Sequence, residues 1–142
     1  MSSEIQNIKW SKEYETGVEE IDEQHHILVN TLNEANHILS NDYSLTNLQT
    51  ITKDLLSYAL YHFEEEEELM HEYHYREEFA EDYQEHMKQH RYFSTKVVEI
   101  RDSLKAGNLI GKDELISFLL NWLLNHIDKT DKKLGKFLQT KM

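Results

Sequence analysis

Between Leu48 and Tyr73 the chain repeats at alternating steps of four and three, and two positions of that repeat hold His62 and Glu66 where an apolar side chain is expected. The full seam reads Leu48, Thr52, Leu55, Ala59, His62, Glu66, Leu69 and Tyr73, the spacing of one buried helix face. His62 and Glu66 are i, i+4 neighbours on it. An imidazole and a carboxylate turned toward a core are costly unless paired, hydrogen-bonded or bound to metal. Register also separates Glu66 from Glu64, Glu65, Glu67 and Glu68, which fall off the seam and are expected to stay in water. A chain with this stretch must bury ligand-type groups inside a helical core.

The same spacing recurs along the chain. Thr16-Gly17-Val18-Glu19 reads as a capping box, with Thr16 as N-cap and Glu19 reaching back. The first helix then carries Ile21, His25, Leu28, Leu32, Ala35 and Leu39 on its seam. Ser44 is a good N-cap for the second helix. After a turn near His74-Tyr75-Arg76, the third seam is Phe79, Tyr83, His86, His90, Phe93, Val97, Ile100 and Leu104, with Gly107 as its C′ residue. A fourth helix starts at Gly111 or Asp113 and carries Leu115, Leu119, Trp122 and His126. Residues 1–15 have no clear period and read as an irregular arm anchored by Trp10 and Tyr14, and Leu134, Phe137 and Leu138 suffice for a short docked helix in the tail. With no Pro and only four Gly to interrupt it, the chain is expected to be all-α. The architecture is an antiparallel up-down-up-down four-helix bundle with an N-terminal arm and a short C-terminal helix. We read residues 1–142 as one domain, with the arm at 1–15, the bundle at 16–131 and the tail at 132–142.

In such a bundle His25 lies early in the first helix, His62 and Glu66 late in the second, His86 and His90 early in the third and His126 late in the fourth. All therefore gather at one end of the core. A lone inward histidine is most often a satisfied core residue; five together with carboxylates call for a cation. The chain has no cysteine, so the ligands are nitrogen and oxygen, a set suited to iron, manganese or zinc. One zinc would leave surplus buried imidazoles, whereas two metals accommodate all of them. Asp131 follows His126 by five residues, which leaves it roughly 140° away around an ideal helix. Either it is an exposed helix-end carboxylate, or a widened, π-like turn brings both to one site. The net charge of -12 argues against nucleic acid and anionic membrane surfaces. The N-terminus lacks the pattern of a secretory signal, and the apolar stretch from Leu115 to Ile127 is too short for a bilayer. A soluble, cytoplasmic protein is expected.

Taken together, the motifs resemble those of the hemerythrins, and most closely the single-domain bacterial ones, over roughly residues 10 to 131. They are Trp10 with Gly17 and Ile21-Asp22-x-Gln24-His25, then His62-Phe63-x-x-Glu66-Glu67-x-Leu69-Met70, His86-x-x-x-His90, and Trp122-x-x-x-His126-Ile127-x-x-x-Asp131. The combination is specific, although H-x-x-x-H alone would be weak. The resemblance implies a non-haem di-iron site, with His86, His90 and His126 on one iron and His25 and His62 on the other. Glu66 and Asp131 would bridge the two irons together with a solvent-derived oxo or hydroxo oxygen. It also implies reversible binding of O2, held as hydroperoxide on the iron with two histidines, beside an apolar pocket of Leu28, Phe63, Trp122, Leu123 and Ile127. The family often has Gly and Pro at the turn after the second helix; Glu72 to Glu78 has neither.

The expected function is O2 storage, delivery or scavenging by a monomeric, non-enzymatic protein. Its alternatives are a di-iron oxidase, peroxidase or NO-handling protein, and an O2 or redox sensor. Glu23/His26, Glu34/His37 and Glu68/His71 match the Glu-x-x-His string of ferritin-like enzymes. All six lie off the seams and read as chance in an acidic chain. Off-seam His26, His37, His71 and His74 read as surface residues.

Overall fold

The computed structural model describes residues 11–142, so Trp10 and most of the N-terminal arm lie outside it. The described residues form α1 (Glu19–Asn41), α2 (Leu45–Glu72), the single turn α3 (Tyr75–Glu78), α4 (Ala80–Lys105) and α5 (Lys112–Asn125). A π-helical segment, His126–Asp131, continues α5 into α6 (Lys132–Gln139). The molecule is an all-α helical bundle, and the short links between successive long helices run neighbours antiparallel. Among the described residues, no helix is long and apolar enough to cross a membrane.

The seams read from the sequence are the buried faces. Leu28, Leu32, Ala35 and Leu39 of α1 pack with Leu48, Leu55 and Ala59 of α2, Phe93, Val97 and Leu104 of α4, and Leu115 and Leu119 of α5. Ser44 caps α2, its hydroxyl accepting from the Asn47 N–H at 3.2 Å, and Gly107 adopts a left-handed φ of 87° after α4. Tyr14, in the short 3-10 turn Lys12–Tyr14, packs against this core as expected.

A second, smaller core seals the other end. Val18 just before α1, Ile21 of α1, Met70 of α2, Tyr75 of α3 and Leu134, Phe137 and Leu138 of α6 form it. The helix expected in the tail is thus present and docked. Gly135 lets it approach closely, because a Cβ there would lie 2.5 Å from the Thr16 carbonyl oxygen.

Two local expectations change. α1 begins at Glu19, and the cap is made by Asp22 rather than by Glu19. The Asp22 carboxylate accepts from the Thr16 N–H at 2.7 Å, the Thr16 hydroxyl at 2.8 Å and the Gly17 N–H at 3.2 Å. One turn into the helix, a carboxylate can reach several free N–H groups that a single box residue would share. Phe79, placed on a seam, is largely exposed. It sits at the break between α3 and α4, so the inward face of α4 starts one turn later. The turn before α3 manages without Gly or Pro because His74 takes the left-handed conformation, φ 64°, which His adopts more readily than most residues.

Candidate metal centre

Where the two cores meet, four elements deliver seven polar side chains to one buried volume. α1 supplies His25, α2 supplies His62 and Glu66, α4 supplies His86 and His90, and the π segment supplies His126 and Asp131. All seven are buried, with Glu66 and Asp131 fully so. The π segment explains how His126 and Asp131 share a site. Its i→i+5 hydrogen bonding brings residues five apart onto one face, where an α-helix would splay them. His126 Nε2 lies 3.0 Å from Asp131 Oδ1.

The donor atoms form two overlapping groups, each with its atoms within 4.8 Å of one another. The first holds Glu66, His86, His90, His126 and Asp131; the second holds His25, His62, Glu66 and Asp131. The two carboxylates are common to both. Within the first, His90 Nε2 is 3.2 Å from Glu66 Oε1 and 3.2 Å from His126 Nε2, and His86 Nε2 is 3.3 Å from Asp131 Oδ1. Within the second, His25 Nε2 is 2.7 Å from Asp131 Oδ2 and His62 Nε2 is 3.4 Å from Glu66 Oε1. Adjacent ligand atoms on an octahedral ion with bonds of about 2.1 Å are about 3 Å apart. The spacings are those of a ligand shell.

Hydrogen bonding supports the same conclusion. Glu66 Oε2 and His62 Nε2 are buried and make no hydrogen bond. Left so, each such group costs about 1–3 kcal/mol. A cation satisfies both at once, so the donor set fits a metal.

Electrostatics of the metal-free centre show what a cation replaces. Burial pushes His62 down to about 4, against the pull of Glu66, and lowers His86 as well. Burial acts the same way on His126, but the charge of Asp131 and hydrogen bonds to Asp131 and Glu66 outweigh it and raise that group to about 9. His90 is raised too, its burial outweighed by hydrogen bonds to Glu66 and Glu67. Burial acts to raise both carboxylates. For Glu66 it is outweighed by His62 and by hydrogen bonds from His126, His86 and His90, which hold it well below the usual range. For Asp131 burial and the charge of Glu66 are outweighed by His126 and His25, which bring it to about 2. Without metal, the two carboxylates thus favour the protonated forms of His90 and His126.

The outer nitrogens of three of these imidazoles are held by residues that the periodicity passed over. Gln24 of α1 sits 2.6 Å from His62 Nδ1, Glu67 of α2 sits 2.9 Å from His90 Nδ1, and Gln89 of α4 sits 2.7 Å from His126 Nδ1. The Thr130 hydroxyl donates to the same Gln89 oxygen at 2.7 Å, which fixes that oxygen as the acceptor toward His126. Each of the three adjoins a clustered residue in sequence and reaches an imidazole on a neighbouring element. That adjacency was the available signal. Glu67 in particular is half-buried, not free in water.

Aromatic rings close the centre on its inner side. Phe63 stacks on His90 with centroids 4.0 Å apart, and Trp122 stacks on His126 at 4.6 Å. Beyond them lies a void of about 20 Å³ lined only by apolar and aromatic side chains, among them Leu28, Phe63, Trp122 and Leu123. Ile127 is fully buried in the same core but does not line the void. The surface histidines behave as expected: His26, His37, His71 and His74 are not part of the cluster. His37 pairs with Asn41.

Comparison with known proteins agrees with this geometry. The family model described as "Hemerythrin HHE cation binding domain" matches residues 16–138. A bacteriohemerythrin of Pseudomonas aeruginosa is 33% identical over 125 residues, covering 88% of this chain and 77% of that one. One from Clostridium acetobutylicum is 26% identical over 128 residues, covering 87% and 95%. A crystal structure of wild-type hemerythrin superimposes with a TM-score of 0.82 at 25% identity, covering 92% of this chain and 97% of that one. The matched region contains every residue of the buried cluster, and the chain belongs to the hemerythrin family.

Proposed function

We propose that this protein binds O2 reversibly at a pair of iron ions and does not turn it over. His86, His90 and His126 would hold one ion and His25 and His62 the other, with Glu66 and Asp131 shared between them. The observation that carries the reading is the inequality of the two donor groups. They share both carboxylates, yet one has three imidazoles and the other two. The ion with fewer protein ligands keeps room for a small molecule. When bound, such an iron pair supplies reversible two-electron exchange with O2.

The chain's own residues supply the rest. Gln24, Glu67 and Gln89 orient imidazoles by accepting from their outer N–H groups, which leaves Nε2 facing the centre. Phe63 and Trp122 shield the inner side, and the void behind them is apolar throughout. A site of that character stays dry and accepts an apolar gas. No titratable side chain lines that void. The groups needed to drive an oxidation by proton delivery are thus missing beside it, which favours binding over catalysis.

The test is to load the reduced protein with iron, expose it to O2 and remove the gas, recording the visible spectrum through several cycles. Reversible colour is expected. Immediate one-way conversion to the oxidised form in the first cycle contradicts the carrier reading and favours an oxidase or a sensor.

A further inference from the structure

The three held imidazoles do not have equivalent partners. His62 and His126 face the neutral amides of Gln24 and Gln89, and His86 Nδ1 has no hydrogen-bond partner. His90 alone of these faces a carboxylate, that of Glu67. The pair lies at the floor of a surface groove between α2 and α4, lined among others by Leu60, Met87, Arg91 and Ser94. His90 is therefore the member of the three-histidine group with a side of its ring toward the exterior, and Glu67 is what stands there. Phe63 stacks flat on the same ring with 13° between planes. Stacking fixes the plane of the ring but leaves it free to flip within that plane. On the outer side of the ring, the Nδ1–H to Glu67 bond holds Nε2 rather than Cε1 toward the centre.

We infer that Glu67 is a positioning residue: by accepting from His90 Nδ1–H it presents the Nε2 lone pair to the centre and sets how tightly the three-histidine group holds its ion. The inference rests on the metal-centre reading above, but needs only one ion, of any suitable kind, at His86, His90 and His126. Carboxylate partners of metal-bound imidazoles are worth roughly 10–100-fold in metal affinity. In Glu67→Ala the acceptor is gone and the ring can flip. In Glu67→Gln the amide oxygen can accept the same proton with the charge removed. Glu68, the next residue and exposed, is the control for losing one acidic group from the same helix turn.

The experiment uses full-length protein loaded with Co(II), equilibrated against a graded series of competing chelator, with the visible absorption of the bound ion and the far-ultraviolet dichroism of the loaded protein both recorded. For the most tightly held ion, Glu67→Ala is expected to weaken binding roughly 10–100-fold. Glu67→Gln should recover most of that loss, Glu68→Ala should match the parent, and helical content should not change. Equal retention by Glu67→Ala and Glu68→Ala overturns the inference. So does a Glu67→Gln variant no better than Glu67→Ala, or a loss in Glu67→Ala matched by loss of helix. A parent protein that binds a single Co(II) would count against the iron-pair reading while leaving this comparison readable, since only the tightest ion is followed.

Discussion

His62 and His126 occupy the same buried volume yet are driven in opposite directions, and the difference sets how the metal-free protein responds to pH. His62 folds with its affinity for protons lowered from 6.5 to about 4 by burial. Below pH 6.5 the unfolded chain takes up a proton that the folded one refuses, so stability falls as pH drops from 6.5 toward 4. His126 is raised from 6.5 to about 9 despite burial, by Asp131 and Glu66. Its contribution is complete below 6.5 and disappears as pH rises through 9. Chelator-treated protein is therefore expected to have its highest urea midpoint near pH 6.5, falling on both sides. A midpoint that rises steadily from pH 6.5 to 9 would show that His126 does not carry the proton. Because a metal can bind only the unprotonated nitrogen, loading at pH 7 should also release protons, measurable with an indicator dye in weak buffer. Among single substitutions, His25→Ala separates the two donor groups most cleanly. It removes one of only two imidazoles from the second group and none from the first. Metal content is expected to drop from two ions per chain to one by elemental analysis; retention of both would remove His25 from the centre. At this scale the inward histidines and Glu66 were legible because each stands where a seam calls for an apolar residue. Gln24, Glu67 and Gln89 were not, because each lies a step around the helix from the seam. Periodicity reports which face is buried and says nothing of what reaches sideways to the neighbouring helix.

Among the elements, the π segment does most to build the centre. Five-residue spacing from His126 to Asp131 demanded either a widened turn or an outward Asp131, and the structure has the widened turn. The spacing alone left both options open, since nothing in an isolated helix favours i→i+5 bonding. What stabilises it is tertiary: α6, which follows directly, packs Leu134, Phe137 and Leu138 into the second core. Its seat depends on Gly135, where an added methyl would meet the Thr16 carbonyl oxygen at 2.5 Å and the Thr16 Cβ at 2.7 Å. A backbone oxygen cannot swing aside as a side chain can. Gly135→Ala is thus expected to cost about 1–3 kcal/mol. At about 2–4 °C per kcal/mol for a chain of this size, the loaded protein should melt several degrees lower. A melting temperature within a degree of the parent would mean that α6 does not sit this close. The capping of α1 teaches a related lesson. The sequence pattern marked where the helix starts, but the Asp22 carboxylate, one turn inside, could be recognised as the cap only once Thr16 and Gly17 were folded back over it.

For the molecule as a whole, the two ends of the bundle do different work. The end carrying Leu39, Leu48, Leu104 and Leu115 is an ordinary apolar core, and its helices were readable from spacing alone. At the other end the buried groups are polar, and the apolar residues of α6 and α3 close over them. The matching heights of inward histidines on antiparallel helices were enough to place the cluster. The turn near His74 was placed from the sequence, but its conformation was not legible, because no Gly or Pro marked it and a left-handed histidine has no pattern of its own. The proposed function requires that each of the two overlapping donor groups take an ion. The direct measurement is the iron content of the purified protein, loaded anaerobically with ferrous iron, freed of excess metal and referred to chain concentration by quantitative amino-acid analysis. Two irons per chain are predicted. One iron per chain, or none, would contradict the paired centre and with it the proposed binding of O2.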